Sequence, residues 1–155
     1  MAQEIERKFL LTGDGWKDGV KSTARIQQGY LSTSAKATVR IRIFDDERAV
    51  LTLKGPAVGL SRAEFEYDVP LEDGRAMMTL SEPNIVEKRR HDVPFGDHVW
   101  EIDVFEGRHE GLVIAEVEMK TEEDDVAMPD WIGKEVTEDD RYANASLSRT
   151  PGVPE

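Results

Sequence analysis

Glu4-Ile5-Glu6-Arg7-Lys8-Phe9-Leu10-Leu11 is the stretch whose reading decides the fold. Glu4, Glu6 and Lys8 recur at every second residue, and Ile5, Arg7 and Phe9 fall between them. Successive side chains of an extended strand point to opposite sides of its sheet, so two carboxylates and an amine share one face. Alternation of this kind suits any half-solvated antiparallel strand. Its weight comes from how often it returns along the chain, and from how it sorts by sign.

Seven more segments alternate in the same way. Ala24 to Ser32 reads as a strand in which Gly29 is expected to mark a bulge. Thr38 to Phe44 sets Val39, Ile41 and Ile43 against Arg40 and Arg42. Ala49 to Lys54 sets Leu51 and Leu53 against Thr52 and Lys54, and the polar turn Asp45-Asp46-Glu47 joins these two strands as a hairpin. Ala63 to Val69 opposes Phe65 and Tyr67 to Glu64 and Glu66. Ile85 to Val93 gathers Lys88, Arg90 and Asp92 on one side; Val99 to Phe105 gathers Glu101 and Asp103; Leu112 to Lys120 gathers Glu116 and Glu118.

Helical spacing is scarcer. Trp16 to Thr23 holds a short helix, and Ala76, Met77 and Leu80 give the period of a helix from Glu72 to about Leu80, which makes its methionines core anchors. The acidic segment Thr121 to Ala127 reads as a helix start ended by Pro129. Thr137, with Asp140 three residues on, resembles a capping box that opens a last short helix through Tyr142, Asn144 and Leu147. No repeat or linker divides the chain. Residues 1–147 are expected to form one domain, and 148–155 a flexible C-terminal tail.

The chain has 155 residues, no cysteine, and a formal net charge of -12 from 32 acidic and 20 basic residues. That length can bury a core unaided, and the lack of cysteine excludes disulfides, zinc–thiolate sites and thiol nucleophiles. No apolar run is long enough to span a bilayer and no basic-then-apolar leader opens the chain, so the expectation is a cytoplasmic protein without a membrane partner. The acidic field repels polyanions such as duplex DNA, so no nucleic-acid partner is expected. A small anion is still admissible where basic groups or divalent cations reverse the field locally.

The charged faces carry mostly one sign each. Arg40 with Arg42, Lys54, and Lys88 with Arg90 are basic; Glu4 with Glu6, Glu64 with Glu66, Glu101 with Asp103, and Glu116 with Glu118 are acidic. A solvated sheet gains from mixing signs across neighbouring strands, so segregation suggests an enclosed polar surface. Eight antiparallel strands can close into a barrel, with either the apolar or the charged faces inward. The residues alone leave both arrangements open. In the second, paired carboxylates suit magnesium or manganese, and arginine forks suit phosphate oxygens.

Glu4-x-Glu6-x-Lys8 resembles the ExExK signature of the CYTH domain, or triphosphate tunnel metalloenzyme, superfamily. The likeness continues in order through Gln28-Gly29-Tyr30-Leu31, Arg40-x-Arg42, Thr52-x-Lys54, Arg62-x-Glu64-x-Glu66, Lys88-x-Arg90, Glu101-x-Asp103, Glu116-x-Glu118, and Glu135-Val136-Thr137 to Asn144. It covers nearly the whole chain and is nearest to the short bacterial inorganic triphosphatases.

The resemblance implies a mainly β (α+β) fold, an eight-stranded antiparallel closed barrel with a few flanking helices, whose charged tunnel accepts a small anionic triphosphate. It implies that Arg40, Arg42, Lys54, Arg62, Lys88 and Arg90 bind substrate. Glu4, Glu6, Glu64, Asp103, Glu116 and Glu118 would hold two ions of Mg2+ or Mn2+. Glu4, Glu6, Lys8 and Tyr30 would be catalytic, the last two assisting the attacking water. Adenylyl cyclase of class IV, thiamine or nucleoside triphosphatase, and a non-catalytic polyphosphate or nucleotide binder are the alternatives. An inward polar face leaves apolar outer surface that a second copy would cover as a homodimer.

Other residues read as structural. His91, His98 and His109 lack metal-ligand spacing, and His91 is expected near the tunnel mouth. Trp16, Trp100 and Trp131 are packing residues first. The run Glu122 to Asp125 lacks the glycine of a calcium loop. Arg141, Tyr142 and Asn144 stand as substrate or lid contacts.

Overall fold

A computed structural model describes residues 2–34 and 36–154. Nine strands form one sheet: β1 (Ala2–Leu11), β2 (Ser22–Thr33), β3 (Thr38–Phe44), β4 (Arg48–Lys54), β5 (Ser61–Val69), β6 (Ile85–Phe95), β7 (His98–Glu106), β8 (Val113–Glu118) and β9 (Ile132–Glu135). Two α-helices accompany them, α1 (Leu71–Ser81) and α2 (Asn144–Arg149). All pairings are antiparallel, in the order β5-β4-β3-β2-β6-β7-β8-β1-β9, and β5 also pairs with β1. Strands β1 to β8 therefore close into an eight-stranded barrel. The ninth strand lies against the far end of β1, with Leu11 opposite Ile132.

Closure forces one face of each strand inward, and here the inner face is the charged one. The apolar faces look outward and are covered from remote parts of the chain. Outside β1, β7 and β8, Ile5, Phe9, Trp100, Ile102, Ala115 and Val117 pack with Trp16, Met119 and Val126. Outside β3 and β4, Ile41, Ile43 and Ala49 pack with Met78 of α1. Each fully buried large apolar side chain contributes about 1.5–3 kcal/mol, so these outer layers substitute for the core that the lumen lacks. A third cluster of Val86, Phe105, Leu112, Ile114, Val136, Tyr142 and Leu147 sits at one end of the barrel, where α2 closes the lumen.

Two glycines set the seat of α1. A Cβ on Gly29 would lie 2.5 Å from that of Ser81, and one on Gly74 would lie 2.4 Å from that of Ala49. Gly29 thus serves close approach of helix to sheet; the irregularity expected there falls between Tyr30 and Ser32 instead.

Four local expectations give way. Residues 121–127 form a turn and irregular chain, because the Asp124 carboxylate accepts from the Lys120 N–H at 3.0 Å and contacts His98 Nε2 at 2.9 Å, while Val126 is drawn into the outer core. Thr137 does not open a helix: its hydroxyl accepts from the Lys8 N–H at 3.0 Å, and Asp139 caps a 3-10 turn at Asp140–Tyr142. His91 faces away from the lumen, against Thr23 and the Trp16 ring. The segment expected to begin a tail at Ser148 starts within α2, and the Gly152 N–H donates to Arg108 O at 2.8 Å. Among the described residues no helix is long and apolar enough to cross a membrane.

Candidate active site

The lumen encloses a cavity of about 170 Å³ lined by charged side chains of seven strands together with Asn144 of α2. Strand order divides its wall in two. Strands β4, β3, β2 and β6 are consecutive around the barrel, and β4, β3 and β6 supply Lys54, Arg40, Arg42, Lys88 and Arg90; β7, β8, β1 and β5 complete the circle with Glu101, Glu116, Glu118, Glu4, Glu6, Glu64 and Glu66. Period-two alternation places each set inward, and ring closure turns scattered sequence pairs into two facing arcs.

On the basic arc, Arg40 is buried, and its one side-chain hydrogen bond is a long 3.5 Å contact to Thr52 Oγ1. It has no carboxylate partner among the described residues, and its Nε is buried without an acceptor, as is that of Arg42. Arg42 donates to Glu66 at 2.9 Å; burial, with Arg40 and Arg90 nearby, lowers its guanidinium to about 10. Lys88 is almost wholly enclosed, 2.7 Å from Asp103 and 3.3 Å from Asn144 Oδ1, and burial lowers it to about 8. Lys54 reaches both oxygens of Glu4 at 2.9 Å and lies 3.5 Å from Glu64.

The acidic arc is crowded. Glu6 lies directly opposite Glu118 in the β1–β8 register, and Glu101 opposite Glu116 in the β7–β8 register. Like charges facing across strands repel. Glu6 has no ion pair or hydrogen bond from a described side chain; loss of water, then Glu116 and Glu4, push its carboxyl up to about 8. Glu4 is raised by burial, against the pull of Lys54, and Glu118 by burial and Glu4. Glu116 is held well below the usual carboxylate range: Lys8 at 3.7 Å and Arg90 at 3.7 Å outweigh its burial. Among the described residues no three carboxylates are gathered into a ready cation cage, since Lys54 occupies Glu4 and Glu64 while Lys8 and Arg90 occupy Glu116.

Four expected site residues, Asp103, Arg62, Lys8 and Tyr30, do not line the cavity. Both oxygens of the fully buried Asp103 are taken, by Arg90 at 2.8 and 2.9 Å and by Lys88 at 2.7 Å, and it does not line the cavity. Its carboxylate thus bridges two cations of the basic arc. Arg62 donates twice to Gly55 O, at 3.0 and 2.8 Å, which turns it to the loop after β4 and away from the cavity. Lys8 lies at the closed end, where Nζ donates to Tyr142 O at 3.3 Å, and Tyr30 is buried beside Gln28. Glu66 and Glu101 line the cavity although the ligand sets omit them. Each is two residues from a member of those sets, so strand alternation already contained the signal.

A closed antiparallel barrel with an arc of cations facing an arc of carboxylates defines a tunnel protein for small anions. The chain belongs to the CYTH domain family, whose model matches residues 2–151. It is 41% identical over 152 residues to an inorganic triphosphatase of Acetivibrio thermocellus, covering 97% of this chain and 96% of that protein. Identity to an inorganic triphosphatase of Nitrosomonas europaea is 37% over 149 residues, covering 94% and 96%. A solved structure of an inorganic triphosphatase superposes with a TM-score of 0.71 at 32% identity, over 98% of each chain.

Proposed function

We propose that this chain hydrolyses inorganic triphosphate to phosphate and diphosphate within the lumen. The observation that carries the reading is the buried Arg40, a cation without a carboxylate partner at the centre of a basic arc. Burying a charge unpaired is costly, and a bound anion removes that cost. Arg40 and Arg42 offer planar forks to phosphate oxygens, and Lys54, Lys88 and Arg90 add charge around them. Asp103 holds Lys88 and Arg90 in place from behind.

The acidic arc suits hard divalent cations. Glu6, without a partner and opposite Glu118, is a carboxylate that needs positive charge, and oxygen donors favour magnesium or manganese. Glu4, Glu6, Glu116 and Glu118, with Glu64 at the edge, would hold two ions of Mg2+ or Mn2+, which when bound neutralise phosphate oxygens and acidify water. Lys54 then leaves Glu4 and Glu64 for the substrate. The water oxygen bonds to a terminal phosphorus, the bridging P–O bond breaks, diphosphate leaves, and a proton is released. Lys8 and Tyr30 are the donors at the closed end that meet the terminal phosphoryl group.

Residues 1–147 act as one unit, in the cytoplasm. A homodimer would cover the outer faces of β4 and β5, where Leu53, Phe65 and Tyr67 stand exposed; a chain that stays monomeric at high concentration would remove this part of the reading. The activity is tested by phosphate release from inorganic triphosphate, ATP and thiamine triphosphate in parallel, each with magnesium, with manganese and with chelator. Metal-dependent release fastest from inorganic triphosphate is expected. Cyclic AMP formed from ATP would favour a cyclase, and binding without turnover a polyphosphate binder.

A further inference from the structure

Gln28 is fully buried on the inner face of β2, opposite Arg42 in the β2–β3 register and two residues from Tyr30. Its Nε2 donates to the Tyr30 hydroxyl at 2.9 Å, and its Oε1 has no partner. An amide sealed from water with one acceptor unmet is costly relative to an apolar side chain of the same shape. Packing is therefore a poor reason for a glutamine here. The hydrogen bond itself has a direction that an apolar side chain would lack.

A phenol has one O–H to give and lone pairs to receive. With a lone pair occupied by the amide, the Tyr30 hydrogen needs an acceptor elsewhere, and no described residue supplies one. Its charged neighbours are donors: Arg40 lies directly opposite Tyr30 across β2 and β3, and the Lys8 ammonium interacts electrostatically with the phenol. In such surroundings the acceptor that completes Tyr30 is an oxygen of an anion.

We propose that Gln28 is a positioning residue that fixes the Tyr30 hydroxyl as a hydrogen-bond donor to an oxygen of bound triphosphate. The proposal rests on the triphosphatase reading and deepens it. No bond forms or breaks at Gln28. It sets the direction of a dipole in advance, and a donor aimed where charge grows in the transition state acts on turnover more than on ground-state binding.

The test is a double-mutant cycle on the full chain, with kcat and KM for inorganic triphosphate under saturating magnesium and a thermal melt of each variant. Gln28→Met keeps length and removes the donor. Gln28→Glu keeps shape but accepts the Tyr30 hydrogen, turning it from the substrate. Turnover should fall about 10- to 100-fold in Gln28→Met with KM within about threefold, further in Gln28→Glu, and as far in Tyr30→Phe. Gln28→Met combined with Tyr30→Phe should be no slower than Tyr30→Phe alone. Additive losses, or wild-type turnover in Gln28→Met, would overturn the proposal. If Gln28→Met does not fold, Gln28→Glu carries the cycle. A wild-type chain that releases no phosphate overturns the triphosphatase reading instead, and calorimetric affinity for inorganic triphosphate then replaces kcat in the same cycle.

Discussion

The arc β4-β3-β2-β6 and the arc β7-β8-β1-β5 face one another across a single cavity, yet their charges are satisfied differently. Cations of the first arc lean on a buried anchor, as Lys88 and Arg90 do on Asp103, reach across to the second arc, as Arg42 does to Glu66 and Lys54 to Glu4, or stand without a carboxylate, as Arg40 does. Carboxylates of the second arc confront one another in register, and Glu6 is left with none of the cations. The arcs touch at Lys54 and Glu4 and at Arg42 and Glu66, both 2.9 Å apart, and at Arg90 and Glu101, 3.2 Å apart. The lesson is that the side chains of the lumen neutralise one another only in part. One arc lacks an anion and the other lacks cations, which is the electrostatic complement of a metal-bound phosphate chain.

Asp103→Asn offers the harshest break of this division. It removes the one carboxylate buried behind the basic arc and should cost about 3–5 kcal/mol of stability, the range for breaking a buried ion pair. A denaturant midpoint close to that of the wild type would mean that Lys88 and Arg90 do not depend on it. Glu6→Gln acts on the other arc and should lower turnover about 100- to 1,000-fold with the fold retained, by loss of transition-state electrostatics; phosphate release at saturating magnesium measures it, and full activity would remove Glu6 from the site.

The acidity of the second arc also sets a pH dependence. The folded value of Glu6, about 8, lies above its ordinary 4.5. Such a group gives its full stabilisation below the unfolded value and loses it as pH rises through the folded one. The ion-free chain should therefore lose stability between roughly pH 4.5 and 8 through this group. Melts across that range should show the slope in chelator and lose it in Glu6→Gln; an equal slope in both would refute the assignment. The smallest effect belongs to the Lys54 contact with Glu4 across the arcs. Lys54→Ala should tighten magnesium binding and weaken triphosphate binding, each about fivefold, as expected for about 1 kcal/mol. Calorimetry that found both moving the same way would deny the competition.

Much of this architecture is legible in the chain. Eight strands follow from alternation because a one-residue slip would move a whole charged face, as with Arg40 and Arg42 or Glu116 and Glu118. Which face turns inward is not legible locally. That depends on Met78 reaching Ile41 and Ala49, and on Val126 reaching the outside of the barrel, contacts between segments far apart in sequence. Strand β9 escapes because its four residues, Ile132-Gly133-Lys134-Glu135, have no alternation to show and pair only with the end of β1. Asp103 shares the pattern of the other inward carboxylates, and a pattern does not reveal that both its oxygens are already engaged.

The most direct test of the bisected lumen is a crystal structure of the Glu6→Gln chain with inorganic triphosphate and manganese, located by anomalous scattering. The phosphate chain should lie against Arg40, Arg42, Lys88 and Arg90, with manganese between it and the arc of Glu4, Glu116 and Glu118. Triphosphate bound outside the barrel, or manganese with no ligand on β1 or β8, would contradict the account.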